Sequence, residues 1–165
     1  MNLQDLASIA EIIGGFAVLA TLVYLTIELR DNTKTLKANT TAEIYRNWSA
    51  QNHDLCQHPH LDIITRAFHA DETVDKFEPI EQAILQTQGR GLIQRFQAIH
   101  FQYSAGIVDK EVWQQNSTWC HSFIQLPVWK AIWEGEISQP IYSQAFVAAV
   151  ESAPTMEISV GSIHG

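Results

Sequence analysis

The feature that most constrains this chain is an uncharged apolar segment near its amino terminus. Residues 12–27, IIGGFAVLATLVYLTI, carry no charged side chain. As an α-helix these residues cover roughly 24 Å, short of the ~30 Å hydrocarbon core of a bilayer. A helix over residues 6–29 covers roughly 36 Å and places Glu11 and Glu28 near its two ends, where a carboxylate can reach water. The sequence therefore predicts a transmembrane anchor helix within residues 1–30.

The apolar segment has two other possible interpretations. A cleaved signal peptide is disfavoured because Asp5 and Glu11 stand where basic residues are usual, and no small-x-small cleavage site follows the apolar run. A helix that is apolar on all sides can also form the shared core of a soluble oligomer. A soluble helical homo-oligomer that buries residues 12–27 is therefore the main alternative to membrane insertion.

The flanking charges predict an orientation. Arg30, Lys34 and Lys37 follow the apolar segment, whereas no Lys or Arg precedes it. The positive-inside rule places such basic residues on the cytoplasmic side of a membrane. We therefore expect a single-pass protein with its N-terminus outside and its C-terminal domain in the cytoplasm.

Small residues recur on one face of the predicted anchor. Ala10, Gly14, Ala17 and Thr21 follow one another at helical spacing. Small side chains let two helix backbones approach closely in lipid. This small-residue stripe predicts packing against other transmembrane helices, either in a membrane protein complex or in a homo-oligomer.

The charge of the remaining chain excludes one class of partner. Residues 41–165 hold 14 acidic and 7 basic side chains, which supply most of the net charge of −8. An acidic domain repels phosphate backbones. We therefore expect no nucleic acid partner.

Residues 31–153 are predicted to form a soluble helical domain, and residues 154–165 a flexible tail. Apolar side chains recur at the helical period, and no strand-like alternation is found, so the predicted fold class is all-α: an anchor helix continuing into a small helical bundle. Residues 31–57 predict a helix with buried positions at Leu36, Ile44, Trp48 and Leu55.

Pro and Gly residues set the other helix boundaries. Pro79 begins a long helix to about Ser104. Its predicted buried positions are Ile80, Ile84, Leu92, Phe96, Ile99 and Tyr103.

Gly89 and Gly91 predict either a kink in this helix or a close contact with a neighbouring helix. Further helices are expected over residues 110–125 with Asp109 as the cap, from Pro127, and from residues 138–140 onward.

The opening of the chain resembles a known group of proteins. IAEIIGG at residues 9–15, then the apolar run, then LRDNTKTLK at residues 29–37 is similar to a family of uncharacterised bacterial membrane-anchored helical proteins. The resemblance continues more loosely through residues 104–106 and 129–133. It implies a bacterial inner-membrane protein of unknown activity and supplies no site residues.

Candidate chemistry is sparse. The chain has no glycine-rich phosphate loop and no HExxH or GxSxG motif, so we expect neither an enzyme nor a cofactor. One cluster has residues that could ligate a metal: His53, Cys56, His58 and His60. The alternative function is therefore a metal-binding or small-molecule sensor, or an enzyme, with a pocket between helices near this cluster or beside Arg90 and Arg95.

Four tryptophans lie close together in the sequence. Clustered tryptophans mark interfaces or fill the cores of small helical domains. They are the possible interface residues Trp113, Trp119, Trp129 and Trp133. Taken together, the sequence favours a single-pass membrane-anchored helical interaction protein, either an accessory subunit or a self-associating component of a membrane complex.

Overall fold

The computed structural model describes residues 3–69 and 71–157, with the side chains of residues 3–10 excepted. Across these ranges the regular secondary structure is helical and contains no strand, which confirms the predicted all-α class. The helices are α1 (Leu3–Cys56), α2 (Leu61–Arg66), α3 (Pro79–Ser104), α4 (Lys110–Phe123), α5 (Pro127–Ile137) and α6 (Gln144–Glu151), with a 3-10 turn at Val74–Lys76.

The chain divides into two compact units, Met1–Asn39 and Thr40–Gly165. The predicted end of the anchor, at residue 30, falls within the first unit. At the other end of the chain, residues 154–157 form no helix, and residues 158–165 of the predicted tail lie outside the described residues.

The first unit exposes apolar side chains on every face of its helix. Phe16 is 70% exposed, and even Leu25, the least exposed of the large apolar side chains described there, is 48% exposed. The most apolar 18-residue window of this helix has a mean hydropathy of 2.0, and none of it is buried. Among the described residues, this is the one helix long and apolar enough to cross a membrane.

Two threonines within the apolar segment have satisfied hydroxyl groups. Thr21 Oγ1 donates to the Ala17 carbonyl and Thr26 Oγ1 donates to the Leu22 carbonyl, each over 2.8 Å. A hydroxyl that bonds the carbonyl one turn earlier has no need of water. The cost of placing these threonines in lipid is lowered accordingly.

The second unit is built around α3, which contacts α2, α4, α5 and α6. Its core is strongly aromatic, and several of its largest side chains are almost wholly buried: Phe96, Phe123, Trp129 and Phe146. The last turns of α1 belong to this unit. Ile44 is buried there, and Trp48 and Leu55 pack against the core, as the sequence predicted.

Two predicted buried positions are wrong. Leu36 is 53% exposed and Ile80 is 70% exposed. Both continue an apolar helical stripe, but a stripe buries a side chain only where another element covers it. Leu36 lies in the first unit, and Ile80 lies in the first turn of α3.

The predicted start of the last helix is also wrong. Ser138 is the C-terminal cap of α5, and its Oγ donates to the Gly135 carbonyl over 2.7 Å. The last helix, α6, begins instead after Ser143, whose Oγ accepts a hydrogen bond from the Phe146 amide over 3.2 Å. Either serine is a reasonable cap by sequence, and the end of α5 occupies the first one.

Gly89 marks a close helix–helix contact, the second of the two outcomes predicted for it. The helix α3 runs through Gly89 without interruption, and a Cβ added there would lie 2.7 Å from Ile132 Cγ2 on α5. A Cβ added at Gly91 would meet nothing within 4 Å. Close packing between α3 and α5 therefore requires a glycine at position 89 but not at position 91.

Replacing Gly89 with alanine should lower the free energy of unfolding by about 1–3 kcal/mol, because the new methyl group overpacks the α3–α5 contact. Gly91→Ala should instead raise it by about 0.5–1 kcal/mol, since alanine is the better helix former. All five tryptophans lie in the second unit, so tryptophan fluorescence during denaturant unfolding reports this domain.

The control is Ile132→Ala, which removes Cγ2. Combined with Gly89→Ala, it should cost less than the two single changes added together. Equal effects of Gly89→Ala and Gly91→Ala would contradict the assignment of Gly89 to the helix contact.

Candidate functional site

The small-residue stripe lies on an uncovered face of α1. Gly14, Ala17 and Thr21 are exposed, and a Cβ added at Gly14 would meet no atom within 4 Å. The side chain of Ala10, the fourth predicted member, lies outside the described residues. Three of the four positions therefore offer a shallow surface to which a second helix can approach closely.

A cavity of about 470 Å³ lies in the second unit, between the last turns of α1 and the helices α3, α4 and α5. This volume is within the range of small-molecule sites. Most of its wall is apolar. Five aromatic side chains line it: Tyr45, Trp48, Phe68, Trp119 and Trp129.

The polar part of the cavity wall consists mainly of carboxamides. No Asp, Glu, Lys, Arg or His is among the described residues that line this cavity. The carboxamides are Gln51, Asn52, Gln88, Gln115 and Asn116. A wall of this kind offers hydrogen-bond donors and acceptors but no formal charge.

Hydrogen bonds fix part of this wall. Trp48 Nε1 donates to Asn116 Oδ1 over 3.1 Å, and Asn116 Nδ2 donates to the Val112 carbonyl over 2.8 Å. Tyr45 Oη donates to Gln115 Oε1 over 3.1 Å. The bonds from Trp48 and Tyr45 link α1 to α4 in the cavity wall.

Two buried polar atoms of cavity-lining residues have no hydrogen-bond partner among the described atoms. They are the indole Nε1 of Trp129 and the carbonyl Oε1 of Gln51. Trp129 is only 1% exposed. Buried polar groups are nearly always hydrogen-bonded in native proteins, so such atoms need an explanation.

A second cavity, of about 460 Å³, shares wall residues with the first and has a different character. It is lined by Asp54, His58 and Arg95 among others. It shares four lining residues with the aromatic cavity: Gln51, Leu55, Gln88 and Leu92. The Arg95 guanidinium lies 5.5 Å from the centre of the Trp48 ring, and burial lowers its pKa. Of the two arginines beside which a pocket was predicted, Arg95 lines this cavity and Arg90 lines neither of the two cavities.

The histidine cluster adopts ordinary helix-end geometry. His53 Nε2 lies 3.0 Å from Gln57 Nε2, and His58 Nδ1 accepts a hydrogen bond from the His60 amide over 3.1 Å. Cys56 is exposed. Within the described part of the chain, no group of three or more His, Cys, Asp or Glu side chains is placed to hold a metal ion. The predicted metal site gains no support from these positions.

The predicted tryptophan cluster is spread through the core. Trp113, Trp129 and Trp133 are buried, and Trp119 is half-buried at the cavity wall. Their burial favours the core-filling interpretation over the interface one.

Cys120 is also a core residue, and burial raises the pKa of its thiol, which is therefore neutral at physiological pH.

Sequence reasoning missed an ion pair between α3 and α5, in which the carboxylate is buried and the guanidinium is partly exposed. Glu136 is 1% exposed, and its carboxylate accepts two hydrogen bonds from Arg90, from Nε over 2.9 Å and from Nη2 over 2.8 Å. Tyr142 Oη donates to Glu136 Oε2 over 3.3 Å. The bonds from Arg90 lower the pKa of Glu136, and desolvation together with this carboxylate raises the pKa of Tyr142 to about 12.

Replacing Glu136 with glutamine should lower the free energy of unfolding by about 1.5–3 kcal/mol at neutral pH, because charge-assisted hydrogen bonds are lost. The folded-state pKa of Glu136 lies below its ordinary value of about 4.3, so the contribution is complete above that pH. It is lost as the pH falls through the folded-state pKa. The stability difference between the two proteins, measured from pH 7 downward, should therefore shrink only below about pH 4.3.

Glu134→Gln is the matched control, since Glu134 is exposed on the same helix. It should leave stability nearly unchanged at neutral pH. A Glu136→Gln penalty that persists undiminished at strongly acid pH would contradict the assigned ion pair.

In the part of the chain that the structure describes, fold and surface together define an all-helical protein with one candidate membrane-spanning helix. Comparison of the chain with known protein families, with curated proteins and with solved structures finds no match. The resemblance of the opening segment to a bacterial membrane-anchored family therefore stays a prediction.

Proposed function

We propose that this chain is a single-pass membrane-anchored interaction protein, an accessory subunit or self-associating component of a membrane complex. The observation that carries the proposal is the apolar window of α1, none of which is buried. Soluble monomers rarely expose a contiguous apolar patch larger than a few hundred Å². A bilayer is the environment that covers such a helix on every side.

The proposed location is a bacterial inner membrane, with the amino-terminal end outside and the helical domain in the cytoplasm. The basic residues Arg30, Lys34 and Lys37, which follow the apolar segment, support this orientation. The inner membrane is suggested by the family resemblance of the opening segment.

The proposed partners are the lipid bilayer and other transmembrane helices, including those of further copies of this chain. The exposed stripe of Gly14, Ala17 and Thr21 supports helix packing, because its shallow surface lets a second backbone approach. The larger apolar side chains of the helix would then face lipid or lie beside the helix–helix contact.

The test is to replace Gly14 and Ala17 together with leucine in the full chain, purified in mild non-ionic detergent. The bulkier stripe should abolish co-purification of a partner or self-association, measured by chemical cross-linking and by mass in solution. Gly15→Leu is the matched control, since residue 15 points about 100° away from residue 14 on the helix. It should leave association unchanged. An unmodified protein that is strictly monomeric and brings down no other protein would overturn the proposed role.

Two alternatives have observations in their favour. The uncovered apolar helix would also suit a soluble helical homo-oligomer that buries residues 12–27. An alkaline carbonate wash distinguishes this alternative, because a membrane-spanning protein stays with the membranes.

A second candidate function is that of a small-molecule sensor or enzyme. The two adjoining cavities near residues 53–60, one of them lined by Arg95, favour that candidate.

A further inference from the structure

We propose that the aromatic cavity of the second unit binds a neutral, planar aromatic molecule that carries at least one hydrogen-bonding group. The inference deepens the second candidate function, the small-molecule sensor, by naming the chemistry of its ligand. It is independent of the membrane helix, because every described residue that lines the cavity belongs to Thr40–Gly165.

The shape and surface of the cavity select an aromatic ligand. At about 470 Å³ it has room for a molecule of two or three fused or linked rings. Trp48 and Trp119 lie 5.7 Å apart at the wall, and Phe68 and Trp129 lie 5.3 Å apart. Aromatic faces and edges at these positions offer a planar guest the offset or edge-on contacts that rings prefer.

The charge of the wall selects a neutral ligand. No carboxylate, ammonium, guanidinium or imidazole is among the described side chains that line this cavity. A charged guest would lose its hydration there without gaining a counter-ion. An uncharged guest has no such cost.

The polar groups of the wall indicate that the ligand also forms hydrogen bonds. Oε1 of Gln51 is a buried acceptor without a donor, and Nε1 of Trp129 is a buried donor without an acceptor. Gln51 is only half-buried, so its carboxamide can turn to present Oε1 to a guest. Asn116 and Gln115 are already engaged by Trp48 and Tyr45. Of the other three carboxamides, Gln88 lies beside His58 and Asn52 is exposed. Gln51, with its unpartnered Oε1, is therefore the wall group best suited to recognise an N–H or O–H of the ligand.

The probe that tests this is anilinonaphthalene, an uncharged molecule in which a planar naphthalene and a phenyl ring are joined through one N–H group, added to the full chain in non-ionic detergent. Binding is followed as probe emission sensitised by tryptophan, with chain-free micelles as the blank. All five tryptophans lie in the second unit, so the sensitised emission reports probe that is bound near this unit. We expect saturable binding of one probe per chain.

Asn52→Phe is the blocking variant, because Asn52 is an exposed residue of the cavity wall and the larger ring would fill the space beside it. It should weaken probe binding by about tenfold or more, because the probe loses part of its apolar contact with the cavity wall. Ser49→Phe is the matched control: Ser49 is exposed on the same helix and lines neither cavity described above. It should bind the probe like the unmodified chain.

The sulfonated form of the same probe tests the charge preference without any substitution. It should bind about tenfold more weakly than the neutral probe, because its charge has no partner in the wall. Equal or tighter binding of the sulfonate would overturn the proposal and assign the ligand to the neighbouring cavity with Arg95. Binding that is not saturable, or that Asn52→Phe and Ser49→Phe affect alike, would overturn it as well. None of these results bears on the helix association proposed for Gly14 and Ala17, so the two proposals fail separately.

Discussion

Substituting lysine for both Leu19 and Leu22 should move the protein from the membrane fraction to the soluble or aggregated fraction. Both side chains lie in the middle of the apolar segment and are more than half exposed. A lysine at the centre of a bilayer costs about 2.5–3.5 kcal/mol, and each lost leucine removes a further ~0.3–0.6 kcal/mol. The large apolar side chains of the whole segment supply only about 3–5 kcal/mol, so two such changes reverse the sign of the insertion free energy.

The measurement is the fraction of protein that stays with membranes through an alkaline carbonate wash. Leu36→Lys is the matched control, because Leu36 is similarly exposed in the same unit but lies beyond the apolar segment. It should leave the distribution unchanged. Retention of the double lysine variant in washed membranes would show that residues 12–27 are not what holds the protein there.

Phe96→Ala should lower the free energy of unfolding of the helical domain by about 3–5 kcal/mol. Phe96 has no exposed surface, and its ring lies 5.3 Å from that of Trp48 and 5.7 Å from that of Trp119. The substitution therefore leaves a void where α1, α3 and α4 meet. Denaturant unfolding followed by tryptophan fluorescence measures the loss directly, since two of the reporting tryptophans touch the void.

The same helix supplies the control. Phe101 is 72% exposed, so Phe101→Ala should change stability by no more than about 0.5 kcal/mol. Similar losses for the two phenylalanines would mean that the core of the second unit is not arranged around Phe96 as described.

Much of the fold could be predicted because its helix boundaries have local signals. Pro79 stands at the first position of α3, and Gly106 follows its end with a φ of 72°, a conformation that glycine adopts at little cost. These features depend on a few neighbouring residues and survive in any tertiary context. The all-helical class and the bounds of α3 followed from them.

The wrong predictions concern features that depend on packing between residues far apart in the chain. The apolar stripes that include Leu36 and Ile80 are genuine helical patterns, yet no other element covers those two side chains. Ser138 is a residue type that is common at helix starts, but here it caps the C-terminal end of α5. A local pattern predicts which face of a helix is apolar. Whether that face is buried depends on the arrangement of the other helices.

The candidate sites divide in the same way. The small-residue stripe is a feature of one helix and was visible in the sequence. The Arg90–Glu136 pair and the aromatic cavity unite residues far apart in the chain, so no spacing rule could reveal them. The histidine cluster shows the converse: His53, Cys56, His58 and His60 are close in sequence, but no group of three or more metal-ligating side chains forms within the described residues. His53 and Cys56 lie on α1, whereas His58 and His60 follow its end.

The central claim is that residues 12–27 hold this protein in a bilayer, and fractionation of cells that produce the unmodified full chain tests it most directly. After lysis without detergent and a carbonate wash, the protein should sediment with the membranes and rise with them in a flotation gradient. Recovery of the intact, folded chain in a detergent-free high-speed supernatant would contradict the claim.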